Sequence, residues 1–240
     1  MKSLIIIPAV LMLILTGCIN NLCIRGEGPI ETVTLNLDDF NSIRLSGSMN
    51  VEVSYGETLE VVAEGHQNII DELETDVSGE TWDISLGPGC FTSFDLKIYI
   101  KLPVLKTCDI NGSGNILIDG AKGTETFSLE IYGSGNITVT SLSGASVLDV
   151  EIKGSGSVEI EEEIPGLQKL TVTNSASGHF KGFPAIVPDC TVKSSGSGRC
   201  EVTATDNLDV WISGSGNVYY KGKPDINLDD NSSGRLIDRN

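Results

Sequence analysis

Cys108-Asp-Ile-Asn-Gly-Ser-Gly-Asn-Ile-Leu-Ile118 is followed, 21 residues further on, by Leu129-Glu-Ile-Tyr-Gly-Ser-Gly-Asn-Ile-Thr-Val139. The pattern returns as Val150-Glu-Ile-Lys-Gly-Ser-Gly-Ser-Val-Glu-Ile160 and as Val210-Trp-Ile-Ser-Gly-Ser-Gly-Asn-Val-Tyr-Tyr220. Each copy is an alternating segment, a Gly-Ser-Gly-Asn corner and a second alternating segment. Weaker copies surround Gly47, Ala176, Gly196 and Ser232, so that from residue 112 onward corners start 21, 21, 22, 20, 18 and 18 residues apart. Apolar residues fall on alternate positions: Ile110, Ile116 and Ile118; Leu129, Ile131, Ile137 and Val139; Val150, Ile152, Val158 and Ile160; Val210, Ile212 and Val218. Alternation of period two describes strands with one buried face. The intervening Asp109, Glu130, Thr138, Glu151, Lys153 and Glu159 are expected in water.

A unit this short cannot close a core alone, but stacked units with like strands side by side can. The expected fold is therefore all-β: a single-stranded parallel β-helix, or β-solenoid, of coils of roughly 18–22 residues. The alternative is an antiparallel β-sandwich or barrel in which every Gly-Ser-Gly-Asn is a hairpin turn. Near-identical corners favour stacking. The corner residues are Gly112, Gly114 and Asn115; Gly133, Gly135 and Asn136; Gly154 and Gly156; Gly196 and Gly198; and Gly214, Gly216 and Asn217. Their expected role is to adopt left-handed or otherwise restricted dihedrals, with Asn and Ser side chains aligned as ladders from coil to coil.

The chain opens with Met1-Lys-Ser3 and an apolar run from Leu4 to Leu15, too short to span a bilayer. It ends in Leu15-Thr-Gly-Cys18, which resembles a bacterial lipobox. Residues 1–17 are thus expected to be a lipoprotein signal peptide, Cys18 the lipid-bearing first mature residue, residues 18–30 a tether and residues 31–238 one β-helical domain, with irregular first coils at about 57–103. A single helical turn or loop is expected at Gln67 to Leu73. Lipid chains hold a soluble domain at a bilayer surface.

The chain has 16 Lys plus Arg against 33 Asp plus Glu and a net charge of −17. Nucleic acid and acidic bilayers would be repelled.

On the lipobox and the corners together, the chain resembles a Bacteroidetes-type lipoprotein family known as putative adhesins with a head GIN domain, over roughly residues 33 to 222. The resemblance implies a β-helix, an extracytoplasmic location at the cell envelope, and adhesion, with no catalytic residues to carry over. It leaves open which face of the outer membrane holds the lipid, because Ile-Asn-Asn-Leu after Cys18 lacks the acidic run that resembles a surface-export signal.

Beyond Cys18, Cys23, Cys90, Cys108, Cys190 and Cys200 remain. Cys108, Cys190 and Cys200 occupy inward slots, which fits small buried hydrophobes. The most local bridges would be Cys190–Cys200 and Cys90–Cys108. No spacing suggests zinc, and no metal or cofactor is expected. His66 and His179 are 113 residues apart, so neither points to a catalytic set. Gly-Ser-Gly here joins strand to strand, unlike a phosphate loop or nucleophile elbow, which opens a helix. A polysaccharide lyase or hydrolase would need clustered carboxylates with a neighbouring base. Glu159, Glu161, Glu162 and Glu163, and Asp225, Asp229 and Asp230, are the candidates, without Lys or Arg in matched slots. The outward aromatics Tyr132, Trp211 and Tyr219 are the candidate ligand contacts, because rings stack on sugars and anchor interfaces. They do not form one stripe. The expected function is non-enzymatic binding of a glycan or a protein ligand; a carbohydrate-active enzyme and a structural envelope spacer are the alternatives.

Overall fold

The computed structural model describes residues 23–240, so the leader and Cys18 lie outside the described residues. The strands are β1 (Ile24–Arg25), β2 (Ile30–Leu35), β3 (Ser42–Leu45), β4 (Asn50–Tyr55), β5 (Glu60–His66), then helix α1 (Gln67–Ile70), β6 (Val77–Ser78), β7 (Thr81–Ile84), β8 (Phe91–Thr92), β9 (Leu96–Leu102) and β10 (Leu105–Ile110). There follow β11 (Asn115–Ile131), β12 (Ile137–Ser143), β13 (Val147–Ile152), β14 (Ser157–Ile160), β15 (Lys169–Asn174), β16 (His179–Ser194), β17 (Cys200–Ile212), β18 (Val218–Lys221), β19 (Asp225–Asp230) and β20 (Leu236–Asp238).

The fold is a parallel β-solenoid. Strands entering the corners stack on one side, with Cys108 beside Leu129, Val150, Val172, Val192 and Val210 matched across successive coils, and Leu228 last. Strands leaving the corners stack on the other, where Ile116, Ile137, Val158, Phe180, Cys200, Val218 and Leu236 follow one another. All these pairings are parallel, which excludes the hairpin alternative. The apolar alternate positions meet between the two sheets, and every one of those named above from Ile110 to Val218 is buried.

The corner glycines work differently from the expectation. None of Gly112, Gly114, Gly133, Gly135, Gly154, Gly156, Gly196, Gly198, Gly214 or Gly216 has a positive φ; the left-handed glycines, such as Gly120, Gly144 and Gly166, lie away from the corners. Close stacking is what demands glycine. The N–H groups of Ser134 and Gly135 donate to the Gly112 carbonyl at 3.0 and 3.3 Å, and those of Ser155 and Gly156 to that of Gly133 at 2.9 and 3.4 Å. A Cβ on Gly135 would collide with the Gly114 carbonyl oxygen, and one on Gly156 with that of Gly135. Backbone therefore packs on backbone, and any side chain there would wedge the coils apart.

The asparagine slot knits the coils. Asn115 Nδ2 donates to Asn50 Oδ1 at 3.0 Å and Asn136 Nδ2 to Asn115 Oδ1 at 3.0 Å, while the Asn136 carboxamide oxygen accepts the Ser157 N–H at 3.0 Å. Further along, Asn217 Oδ1 accepts the Arg235 N–H at 3.0 Å. His179, in the same slot, accepts the Arg199 N–H on Nδ1 at 2.9 Å.

The first coils are stacked out of sequence order. β3 lies between β7 and β10, and β4 between β9 and β11. The coil of residues 81–102 is thus outermost, that of residues 42–55 next, and from residue 105 onward the chain stacks in order. Residues 57–103 contribute both a coil and a cap, the two alternatives for this segment being realised together. β5 runs antiparallel to β9 and to β2, and β6 antiparallel to β7. The expected helical turn is α1, whose Ile69 and Ile70 are buried. Trp82 is fully buried there, donating from Nε1 to the Glu74 carbonyl at 3.0 Å and lying 5.7 Å from the Phe40 ring. Met49 takes the place of a corner glycine because the coil beneath it has the wide loop 85–95 instead of a tight corner.

Two further expectations are corrected. The disulfide is Cys23–Cys90, closing 67 residues, and not Cys90–Cys108. With β1 pairing β8, it ties residues 23–25 of the expected 18–30 tether to the domain. Cys108, Cys190 and Cys200 are free and buried, so Cys190–Cys200 is not a bridge either. Burial pushes the Cys200 thiol up to about 11 and raises those of Cys108 and Cys190 further, holding them as unreactive thiols. Asp109, expected in water, is buried: Arg44 on the preceding coil covers it, Nη2 to Oδ2 being 3.0 Å.

Candidate binding surface

Because side chains alternate along each strand, the outer faces of both sheets are columns of residues at the same slot in successive coils, held at strand spacing, about 4.8 Å. A column binds its own neighbours before it meets a ligand. Tyr132 projects from the end of one strand and is 43% exposed. Its hydroxyl donates to Glu130 at 2.8 Å, and Lys153 from the next coil lies over its ring at 4.9 Å while pairing with Glu151 at 2.9 Å. The Glu130 hydrogen bond, followed by burial, raises the Tyr132 phenol, and Glu151 raises Lys153. Trp211 is 39% exposed, with the Lys193 ammonium 5.9 Å from its ring, and stands in a shallow groove of about 410 Å³ with Thr173, Ser195 and Ser213. Tyr219, on the opposite sheet, lies between Arg199 at 5.9 Å and Arg239 at 4.9 Å. The structure does not bring the three aromatics together. Each is the centre of its own ring and cation cluster.

A second groove of about 410 Å³ was not singled out from the sequence. Lys169, Asp189, Asn207 and Asp225 form one of its columns and Thr191, Asp209 and Asn227 the other. Asn207 Nδ2 donates to Asp189 at 2.7 Å and Asn227 Nδ2 to Asp209 at 3.0 Å. The signal existed: positions 189, 207 and 225 are 18 apart, the coil length in that part of the chain. Chemically, the groove offers carboxylate and amide acceptors to hydroxyl groups.

The carboxylates considered for catalysis are dispersed. Against the expectation that no basic residue stands in a matched slot, Lys181 occupies the slot of Glu159 on the next coil and pairs with it at 2.8 Å; Glu161 accepts from Thr140 at 3.1 Å, and Glu162 and Glu163 are exposed. Asp225, Asp229 and Asp230 lie on the last strand of their sheet. His66 bonds the Gly28 carbonyl through Nδ1 at 3.0 Å within the cap. Among the described residues, no three His, Cys, Asp or Glu side chains gather as a metal site, and no helix is long and apolar enough to cross a membrane.

Residues 39–224 match the family described as "Putative auto-transporter adhesin, head GIN domain". The chain belongs to this family. Several proteins of known structure share its fold. A putative adhesin of Bacteroides fragilis superposes with a TM-score of 0.81 at 23% identity, over 90% of this chain and 100% of that one. A putative adhesin of Parabacteroides distasonis gives 0.68 at 22% identity, covering 90% and 99%. A protein of the same species named a putative lipid binding protein gives 0.64 at 24% identity, with the same coverage. No curated protein matches this head GIN chain.

Proposed function

We propose that this head GIN protein is an exported lipoprotein, cleaved before Cys18 and anchored through that residue to the outer membrane, whose solenoid binds a glycan or protein ligand without catalysing a reaction. The observation that carries the reading is the set of outward ring and cation clusters at Tyr132, Trp211 and Tyr219, on sheets that hydrogen bonding from coil to coil makes rigid. A preorganised ring loses little entropy on contact, and a neighbouring cation adds attraction for acidic groups. Family membership supports adhesion, and the leader with Leu15-Thr-Gly-Cys18 supports the anchor.

Two experiments test it. Glycan-array and host-matrix binding by the protein should give a ligand whose affinity falls about tenfold or more in Trp211→Ala or Tyr132→Ala; failure of every glycan and matrix protein to bind refutes the binding role, and polymer cleavage refutes the non-enzymatic one. Cys18→Ser should leave the precursor unprocessed or free of the membrane; a trimmed, membrane-bound Cys18→Ser protein refutes the anchor.

A further inference from the structure

Two of the three outward aromatics share a face. Tyr132 and Trp211 both stand where strands enter their corners, four coil steps apart through Ile131, Ile152, Asn174, Ser194 and Ile212, which at strand spacing is about 19 Å. Tyr219 belongs to the other sheet. Between the two rings the face is hollow. A groove of about 370 Å³ lined by Ser128, Glu130, Asp149, Glu151 and Thr171 meets the Trp211 groove at Thr173, which lines both. Together they form one trough that runs across the strands, along the solenoid axis. Arg44, lying over Asp109 on the coil before Tyr132, closes one end.

The lining divides into groups already engaged and groups that are not. Glu130 accepts the Tyr132 hydroxyl, and Glu151 pairs with Lys153. Asp149 lies half-buried between Ser128 and Thr171 of the coils on either side. Among the described residues, Asp149, Ser128, Thr171 and Thr173 make no side-chain hydrogen bond, and Lys193 beside Trp211 pairs with no carboxylate. A carboxylate and three hydroxyls held a strand apart on a rigid sheet are acceptors and donors set in advance for a chain that carries hydroxyl groups along its length.

We propose that this trough is the site of the binding role described above, on which this inference rests, and that its ligand is a linear neutral glycan. The glycan lies across the strands, with one sugar stacked on Trp211 and another on Tyr132. Asp149 accepts hydroxyl hydrogen bonds at the middle, and Lys193 donates to sugar oxygens beside Trp211. Charge selects a neutral chain: Glu130, Asp149 and Glu151 lie along one half of the trough with Lys153 alone pairing among them, so a polyuronate is repelled. Backbone pairing disfavours a peptide. Every strand beneath the trough is paired on both sides, so there is no edge for a peptide to extend.

Calorimetric titration of the detergent-solubilised full chain tests this, with dimers, tetramers and hexamers of glucose, xylose, mannose and galactose, and oligogalacturonates as the acidic counterpart. One neutral series should bind, its hexamer at least about tenfold more tightly than its dimer, because only the longer chain reaches both rings. Trp211→Ala, Tyr132→Ala and Asp149→Ala should each weaken the hexamer about tenfold, and Tyr219→Ala should leave it unchanged. Unchanged melting curves for these outward positions separate lost binding from lost folding. Absence of binding by every neutral series, a hexamer no tighter than its dimer, tighter binding of oligogalacturonate, or equal losses in Asp149→Ala and Tyr219→Ala overturns the proposal. A matrix protein as the sole ligand, or a glycan held through Tyr219, refutes this site and leaves the broader binding role standing; failure of every glycan and every matrix protein refutes both.

Discussion

The capped beginning of the solenoid and its repetitive continuation solve the same problem by different means. From residue 105 onward, each coil rests on one like itself, and stability is a sum of similar interfaces. Among the described residues, residues 23–102 have no earlier coil to rest on. There the chain lays its second coil outside its first, covers the outer edge with antiparallel β2 and β5, fills the end with Phe40, Ile69, Ile70 and Trp82, and closes 67 residues with Cys23–Cys90. The comparison teaches that repetition specifies a stack but not its ends: an end has to be built from residues unlike the repeat.

The largest effect should come from breaking the stack itself. Gly135→Val should cost at least about 3 kcal/mol, because a side chain must displace the Gly114 carbonyl of the coil beneath. Gly166→Ala, at φ +83° with nothing within 4 Å of the added carbon, should cost about 1–2 kcal/mol through its dihedral alone. Thr138→Val on the outer face should stay within about 0.5 kcal/mol. Thermal melts rank the three; equal losses at Gly135 and Gly166 would return the corners to a dihedral explanation.

Next is the cap. Cys90→Ser should lower stability by about 2–4 kcal/mol, and hydrogen exchange should localise the loss to residues 23–102, with the coils after residue 105 keeping their protection. Protection lost evenly would mean that cap and stack unfold as one unit.

Smaller still is the asparagine ladder. Asn136→Ala removes the bonds to Asn115 and to the Ser157 N–H and should cost about 1 kcal/mol, measurable by denaturant titration.

The smallest effect is confined to the junction of the two regions. Burial, opposed by the Arg44 hydrogen bond and reinforced by Glu130, holds the Asp109 carboxyl above its ordinary value of 3.8, and its Oδ1 has no partner. A carboxyl raised in the folded state adds stability that is complete below its unfolded value and is lost as pH rises through the folded one. The native chain should therefore lose stability relative to Asp109→Asn as pH climbs from below 3.8 through that raised value. A pH-independent difference in denaturant midpoints would show that Asp109 does not titrate in this window.

Much of this was readable from the chain alone, and the reason is periodicity. Inward Ile131, Ile152 and Val158, the coil length, the corner positions and the inward thiols all follow from a period of two within strands and of about 20 between them, which is a local property. The outward, separate placement of Tyr132, Trp211 and Tyr219 is legible for the same reason.

What the alphabet could not carry was decided by contacts between distant segments. That Gly135 serves a carbonyl on the previous coil and not its own φ, that β3 sits between β7 and β10, that Cys23 and not Cys108 reaches Cys90, and that Arg44 covers Asp109 across 65 residues are facts about neighbours in space. Sequence determines which face a side chain takes. Only the packed coils determine what it meets there, because the carbonyl, guanidinium or thiol in question arrives from a part of the chain whose distance along the sequence sets no constraint on its distance in the fold.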